Sequence, residues 1–214
     1  MTHLRNLALA ATAALALMAI VGGSSASASP SVLCLHTETP CTLKYGVGTV
    51  LDISLVSGTA LVLEETNGTH LDTCNGATKK GTITVEGDST HTVTGRWDTV
   101  NLSGCTFTTT ATRKGKFRID PVTGTDNGTI TADTGGEEEE TITINTVFFG
   151  SCVYGVAGGT TLGTLTGGNP AKFDSKAVAR KVSGSNFACP ETAVWTGSYV
   201  ITEPNTTLHV EPGN

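Results

Sequence analysis

The side chains that could serve as a catalytic base are few and lie far apart in the sequence. Four of the five histidines follow residue 28, at positions 36, 70, 91 and 209. A serine or cysteine hydrolase needs a nucleophile activated by a histidine, but no Gly-x-Ser-x-Gly turn occurs. His70 and Asp72 are predicted to share one face of a strand, because side chains alternate between the two faces. A histidine beside threonines on a strand is more typical of a solvated surface, so we predict no catalytic residue.

Paired carboxylates are the other arrangement that could carry chemistry, since glycoside hydrolases use two of them in one cleft. The acids considered for this role are Glu64, Glu65, Asp98 and Asp174. Such clefts usually contain aromatic side chains that stack on sugar rings, but the chain has only two Trp and three Tyr residues. Trp97 and Trp195 lie in alternating segments, where packing in a core is the more common role. A non-enzymatic protein is therefore favoured over an enzyme.

Oxygen ligands suited to calcium are concentrated around one predicted hairpin. Calcium accepts carboxylate and carbonyl oxygens in flexible geometry, and the candidate ligands are Asp126, Asp133, Glu137 and Glu138. The acidic run 137–140 is more typical of a solvated loop, whose charge keeps a sheet edge from pairing with other chains. Calcium is thus the less favoured interpretation, and no cofactor is predicted.

The balance of charge excludes some classes of partner. The chain has 13 basic and 19 acidic side chains, which gives a formal net charge of −6. Residues 1–28 contain Arg5 and no carboxylate, so the remainder has 12 basic against 19 acidic side chains. This acidity argues against nucleic acid and against an anionic membrane surface. The basic segment 113–118 alternates around Phe117 and predicts a strand that follows a turn.

The first 28 residues have the three parts of a secretory signal peptide. Arg5 supplies the positive charge, and an apolar run of Ala and Leu follows from Leu7 to Val21. Ala26 and Ala28 are the small residues that a signal peptidase requires, so we predict cleavage after Ala28. The apolar run is shorter than the roughly 20 residues needed to span a bilayer. We therefore expect a secreted protein without a membrane span after cleavage.

The cysteines indicate disulfide bonds. An even number of cysteines in an exported chain is typical of disulfide pairing, and no pair has the spacing of a zinc site. Six cysteines allow 15 pairings, among which the sequence alone does not choose. We favour the sequential pairing, in which the first bond closes a short loop around Pro40. The three predicted bonds are Cys34–Cys41, Cys74–Cys105 and Cys152–Cys189.

Alternating apolar residues predict an all-β protein. Leu51, Ile53 and Leu55 share one face, and the segment 193–201 repeats this pattern around Trp195. Threonine suits the opposite, solvated face because its branched Cβ prefers extended backbone. No segment favours a helix, and 172–182 fits a strand as well. We predict an antiparallel β-sandwich or closed barrel of roughly a dozen short strands, held by disulfides.

Asparagine and glycine mark the predicted turns. Asn-Gly pairs occur at 67–68, 75–76 and 127–128, and glycine pairs occur at 135–136, 158–159 and 167–168. Asn-Gly readily adopts the positive φ angles of a tight hairpin. The segment 61–73 around Asn67-Gly68 is the clearest predicted hairpin.

The chain divides into a signal peptide (1–28), an N-terminal segment with a disulfide loop (29–48) and a single all-β domain (49–214). Segments 99–105 and 146–152 are similar, since each has a strand pattern followed by Gly or Ser and a cysteine. This similarity raises the further hypothesis of an internal duplication about residue 125.

Several of these motifs together resemble a family. They are the early pair of Cys34 and Pro40-Cys41, Asp-Thr-Cys at 72–74 before a Gly-Thr-Ile-Thr-Val strand, Leu-Ser-Gly-Cys at 102–105, Gly-Gly-Asn-Pro-Ala at 167–171 and Cys-Pro-Glu-Thr-Ala-Val-Trp at 189–195. The pattern is similar to a group of exported Thr/Gly-rich β proteins common in actinobacteria. The resemblance implies secretion and disulfide bonds, and it brings no activity or catalytic residue.

The expected function is that of an exported, non-enzymatic β protein of the cell envelope or medium, which acts by binding or as a structural component. Its partner is expected to be a cell-wall glycan or a surface protein. One alternative is a secreted hydrolase of polysaccharide or peptide, with catalytic acids on separate strands. Another is a carrier of a small apolar ligand inside a barrel or between two sheets.

Overall fold

The structure is a computed structural model that describes residues 28–37, 40–133 and 140–214. In this part of the chain, strands are the regular elements, and no helix is long and apolar enough to cross a membrane. The strands in chain order are β1 (Ser31–Cys34), β2 (Val50–Leu55), β3 (Leu61–Glu64), β4 (His70–Val85), β5 (Val93–Cys105), β6 (Thr108–Arg113), β7 (Lys116–Pro121), β8 (Gly128–Ala132), β9 (Glu140–Thr146), β10 (Gly150–Val156), β11 (Thr161–Thr166), β12 (Lys172–Lys181), β13 (Thr192–Glu203) and β14 (His209–Pro212).

Eight of the strands close a barrel. The circuit runs β4–β5–β7–β8–β11–β12–β13–β2 and back to β4, and every neighbouring pair is antiparallel. A barrel of this size has an interior just wide enough for side chains to fill. Of the two predicted architectures, sandwich or closed barrel, the chain therefore adopts the barrel.

Four further strands extend one end of the barrel. β3 lies between β4 and β13, while β10 pairs with the last residues of β12 and continues the sheet through β9 to β6. β4 and β13 reach from the barrel into this extension because they are long strands of 16 and 12 residues. The extension thus shares its walls with the barrel.

The N-terminal segment is attached to the end of the chain. β1 pairs antiparallel with β14, with Ser31 opposite Pro212. Leu33 and Tyr45 belong to the main core, and the Tyr45 hydroxyl donates a hydrogen bond to the Thr207 carbonyl. The predicted segment 29–48 therefore packs on the barrel.

The alternating pattern places apolar side chains in the barrel as predicted. In β13, Ala193, Trp195, Tyr199 and Ile201 are all buried. On the surface, threonines of neighbouring strands, and in one case of a turn and a strand, hydrogen-bond to one another through their hydroxyls. These pairs are Thr84 with Thr94 at 3.0 Å, Thr112 with Thr143 at 2.8 Å, and Thr66 with Thr192 at 3.3 Å.

All three predicted disulfides are confirmed. Cys34–Cys41, Cys74–Cys105 and Cys152–Cys189 have S–S distances of 2.10, 2.04 and 2.02 Å, and no described cysteine is free. The second bond joins directly opposed residues of β4 and β5. In the chain-entropy treatment, loops of about 30–40 residues contribute about 3–4 kcal/mol each. The presence of three disulfide bonds indicates an oxidising environment for the folded chain.

The predicted hairpin at 61–73 is confirmed, but the predicted turn at Asn75-Gly76 is wrong. Gly68 has a φ of +87° between β3 and β4, as a tight turn requires. Gly76 lies inside β4, opposite Ser103 of β5. A Cβ at Gly76 would lie only 2.3 Å from the Ser103 Oγ. The glycine is needed because the neighbouring strand approaches closely, not because the chain turns.

The prediction that His70 and Asp72 share a face is also wrong. A register shift between β3 and β4 interrupts the alternation beside them, so His70 is exposed while Asp72 is fully buried. The Asp72 carboxylate accepts hydrogen bonds from the Thr109 hydroxyl and from the backbone N–H groups of Thr73 and Phe107. Asp72 therefore ties β4 to β6, a strand whose one ladder among the described strands is with β9.

The two segments that suggested a duplication have different structures. Residues 99–105 lie within β5, whereas 146–152 contain the turn between β9 and β10. The structures of the two segments give no support to an internal duplication, which stays a hypothesis. Residues 1–27 of the predicted signal peptide and the glycine pair 135–136 lie outside the described residues.

Candidate functional site

A buried ion pair lies where the interior of the barrel meets the extension. The Lys79 Nζ of β4 lies 2.7 Å from the Glu140 Oε1 at the start of β9. The two side chains are only 5% and 7% exposed. A buried charge is tolerated when it is paired and hydrogen-bonded, so each of these residues keeps the other in the interior.

Two tryptophans enclose the lysine. The Lys79 Nζ lies 5.1 Å from the ring centre of Trp97 and 5.0 Å from that of Trp195. A cation over an aromatic face is attracted by the ring quadrupole, and more strongly where water is excluded. The tryptophans are core residues, as predicted, and they also stabilise the charge between them.

The cavity beside the ion pair is small. It is lined by Lys79, Glu140, Tyr154, Ser175 and Trp195 together with apolar side chains. The volume in which the centre of a water molecule can lie is about 20 Å³. One water needs roughly 10–15 Å³ on this measure. This cavity thus has room for one or two waters and not for a larger ligand.

The tyrosines of the interior are held in their neutral form. Burial raises the pKa of Tyr154 to about 12, helped by the negative charges of Glu65 and Glu191. Burial also raises the pKa of Tyr199. The Tyr154 hydroxyl is buried and has no hydrogen-bond partner among the described residues, and Tyr154 is one of the residues that line the small cavity. Neither tyrosine is activated as a nucleophile or a base.

The most compact group with a histidine is an exposed turn. The His91 Nδ1 lies 2.9 Å from the Asp88 carboxylate and 2.9 Å from the Thr90 hydroxyl. A catalytic triad needs the two ring nitrogens for different partners, but here one nitrogen faces both. Hydrogen bonds from Thr90 and His91 lower the pKa of the Asp88 carboxyl. The group stabilises the turn between β4 and β5.

The carboxylates considered for glycoside hydrolysis do not converge. Asp98 of β5 accepts hydrogen bonds from Thr82 and Arg96, and Asp174 of β12 accepts one from Ser198 at 2.6 Å. β5 and β12 are four steps apart in the eight-strand circuit, so these acids lie on opposite sides of the barrel. Glu65 is half-buried at the start of the β3–β4 turn, next to Glu64 at the end of β3.

The calcium candidates are divided by a strand. Asp126 and Asp133 flank β8, whose five residues span about 16 Å. Glu137 and Glu138 lie outside the described residues, so the calcium site stays a prediction. In the described ranges, the group with metal-ligand geometry is Asp72, Cys74 and Cys105. Its sulfurs form a disulfide and are therefore not available as thiolates.

An uncharged groove crosses the outer face of β2, β4 and β5. It has a volume of about 320 Å³ and contains no charged or aromatic side chain. We call it the polar groove. Its polar side chains are Ser54, Ser57, Asn75, Thr78, Asn101 and Ser103.

An apolar tip lies at the far end of the extension. Val147 and Phe148 in the β9–β10 turn are 81% and 82% exposed, and Phe187 in the β12–β13 loop is 92% exposed. The Cys152–Cys189 disulfide ties the two loops together. Residues this exposed protrude from the surface and form no pocket.

Sequence reasoning did not single out Lys79 or Glu140, although a signal for both was present. Lys79 has the same strand parity as the inward-facing Ile83, and Glu140 has the parity of Ile142 and Ile144. A charged residue at an inward position indicates a buried partner of opposite charge. Assigning residue 140 to the solvated acidic run concealed this.

The chain was compared with protein-family models, with curated proteins and with solved structures, and no match was found. Function is therefore inferred from the geometry of the barrel interior and of the outer surface.

Proposed function

We propose that this chain is an exported, non-enzymatic barrel protein of the cell envelope or medium, which acts by binding through its outer surface. The observation that carries the proposal is the filled interior. The Lys79–Glu140 pair and its two tryptophans occupy the barrel, and the remaining space suits one or two waters. This small cavity favours recognition of larger partners on the outer surface.

Export is supported by two independent features. The three disulfides fit an oxidising compartment, and the first 28 residues have the charge, apolar run and small residues of a secretory signal. The acidic net charge disfavours nucleic acid as the partner.

The two alternatives have less support in the geometry. A carrier of a small apolar ligand needs a cavity of several hundred Å³, and the interior cavity is far smaller. A hydrolase needs converging acids or a histidine with an acid in a cleft. The acids considered are dispersed, and the His91–Asp88 pair is exposed on a turn.

The proposal is tested with the oxidised, secreted protein and with isolated cell-wall polysaccharide and envelope fractions of the source organism. We expect saturable retention on one of these fractions and no turnover of a glycan and peptide panel. Reduced and alkylated protein is the matched control, because it loses the fold and should lose retention. No retention combined with turnover of a panel member would overturn the proposal. Native mass spectrometry that found a bound apolar molecule would favour the carrier instead.

A further inference from the structure

We propose that the polar groove binds a neutral polyhydroxyl ligand, the chemistry of an uncharged glycan chain. This inference rests on the proposed binding function and names the site and ligand class for it. The groove volume of about 320 Å³ lies at the lower end of the range for ligand pockets.

Strand register brings the polar side chains of the groove together. Ser54 of β2 is opposite Thr78 of β4, and Thr78 is opposite Asn101 of β5. The three residues therefore form a row across three strands, about 10 Å from end to end at the usual strand spacing. Gly76 and Ser103 form the next row, where the missing side chain of the glycine leaves room for the Ser103 hydroxyl.

The hydrogen-bonding groups of the groove are unused. Within the described ranges, the side chains of its six polar residues make no hydrogen bond to another residue, and all six are at least partly exposed. Elsewhere on the outer face, neighbouring threonines satisfy one another, as Thr84 and Thr94 do at 3.0 Å. The groove differs because its amides and hydroxyls stay available to a ligand.

The chemistry of these groups matches sugar hydroxyls. A serine or threonine hydroxyl both donates and accepts a hydrogen bond, and an asparagine amide offers both a donor and an acceptor. A sugar hydroxyl has the same dual character. The partly exposed apolar side chains of the lining, Leu55 and Val56, provide contact for the C–H faces of a sugar ring.

Neutrality sets this groove apart from the larger one nearby. The second groove, of about 500 Å³, contains Lys44, Asp52, Lys80 and Glu203. Its Lys80 Nζ pairs with the Asp52 carboxylate at 2.7 Å, so its charges largely satisfy one another. The polar groove has no charge to neutralise a phosphate, a uronate or an ammonium group. A neutral ligand can bind in the polar groove without leaving a charged group of the ligand unpaired.

The expected binding is weak for a single oligosaccharide. No aromatic platform contributes, so a dissociation constant on the order of 1 mM is expected for a short chain. A polysaccharide with many repeats raises the local concentration of sites and hence the retention of the protein.

The test is an amide NMR titration of the oxidised protein with neutral trisaccharides of glucose, arabinose, galactose and N-acetylglucosamine. A galacturonic acid trisaccharide is the charged comparison. We expect saturable shifts in 54–58, 75–78 and 101–103 for at least one neutral sugar, and smaller shifts for the charged one. The highest sugar concentration is about 50 mM, which is about fifty times the expected dissociation constant. If no neutral sugar shifts the amide signals of these segments at that concentration, the inference is overturned.

Variants separate the groove from the rest of the surface. The double variant Asn75→Ala/Asn101→Ala should weaken sugar binding about tenfold, since each hydrogen bond contributes modestly. Asn145→Ala is the matched control, because Asn145 is exposed on β9 outside the groove. Equal affinity of the double variant and the control overturns the inference.

Failure of the inference is distinguishable from failure of the proposed function. If the envelope retains the protein while no neutral sugar shifts the groove, the surface function stands and the groove assignment falls. If the envelope does not retain the protein and the panel is turned over, the proposed function falls as well.

Discussion

The barrel interior and the polar groove both contain polar side chains, but they use them in opposite ways. Inside, Lys79 and Glu140 satisfy each other, and two tryptophans cover the lysine. Outside, Asn75 and Asn101 make no side-chain hydrogen bond to another described residue. Since an unmade bond is costly only where water is excluded, the interior polar groups determine stability and the groove polar groups are free for recognition.

The largest effect is expected from breaking the interior pair. Glu140→Ala leaves the Lys79 ammonium buried without a partner, so the free energy of unfolding should fall by about 3–5 kcal/mol. Urea denaturation under oxidising conditions measures this.

The matched control removes both charges. Lys79→Met/Glu140→Leu keeps an apolar interior of similar volume and should be near neutral for stability. If Glu140→Ala and the double variant had the same stability, the ion pair would not matter in the way described.

The next largest effect on stability is expected from removing a disulfide bond. Cys74→Ser/Cys105→Ser opens a loop with a sequence separation of 31 and should lower the free energy of unfolding by nearly 4 kcal/mol. Cys34→Ser/Cys41→Ser opens a loop with a separation of 7 and should cost about 2 kcal/mol. Calorimetry of the oxidised proteins compares the two. The reverse order would contradict the loop-length argument.

A smaller effect is expected at alkaline pH. Burial raises the pKa of all three tyrosines, Tyr45, Tyr154 and Tyr199. The folded state then holds these protons more tightly than the unfolded state. Their contribution to stability is complete below pH 10, the ordinary value, and is lost as the pH rises through the raised pKa of each tyrosine, which is about 12 for Tyr154. Tyrosinate absorbance should therefore appear late and together with unfolding. A tyrosine that titrated near pH 10 in the folded protein would contradict this.

The smallest effect is expected in the groove. Asn101→Ala removes an exposed side chain without a described hydrogen-bond partner, so the free energy of unfolding should change by less than about 0.5 kcal/mol. The same urea experiment measures it. A loss comparable to that of Glu140→Ala would show that the groove is structural and that the two regions do not differ.

The sequence predicts where strands lie better than it predicts which strands lie next to one another. Alternation around Trp195 and around Phe117 predicts both strands and their buried faces, because strand periodicity is a local property. Asn75-Gly76 is mistaken for a turn because the cause of its glycine is Ser103, a residue on another strand. The pairing of the cysteines could be favoured on loop length, and the structure confirms it.

The polar groove could not be predicted from the sequence. Its row of Ser54, Thr78 and Asn101 depends on β2 and β5 lying on either side of β4. Local periodicity does not determine the order of strands in a sheet. Taken alone, each of these three residues is an ordinary polar residue on a solvated face. The interior pair is an intermediate case, since the parity of Lys79 and Glu140 indicates burial while their contact depends on the fold.

The most direct test of the difference between the two regions is retention of the protein on neutral cell-wall polysaccharide, measured for the unmodified chain and for Asn75→Ala/Asn101→Ala. We expect retention of the unmodified chain and about tenfold weaker retention of the variant, with the same urea midpoint for both. Equal retention, or a loss of retention that merely follows a loss of stability, would contradict it.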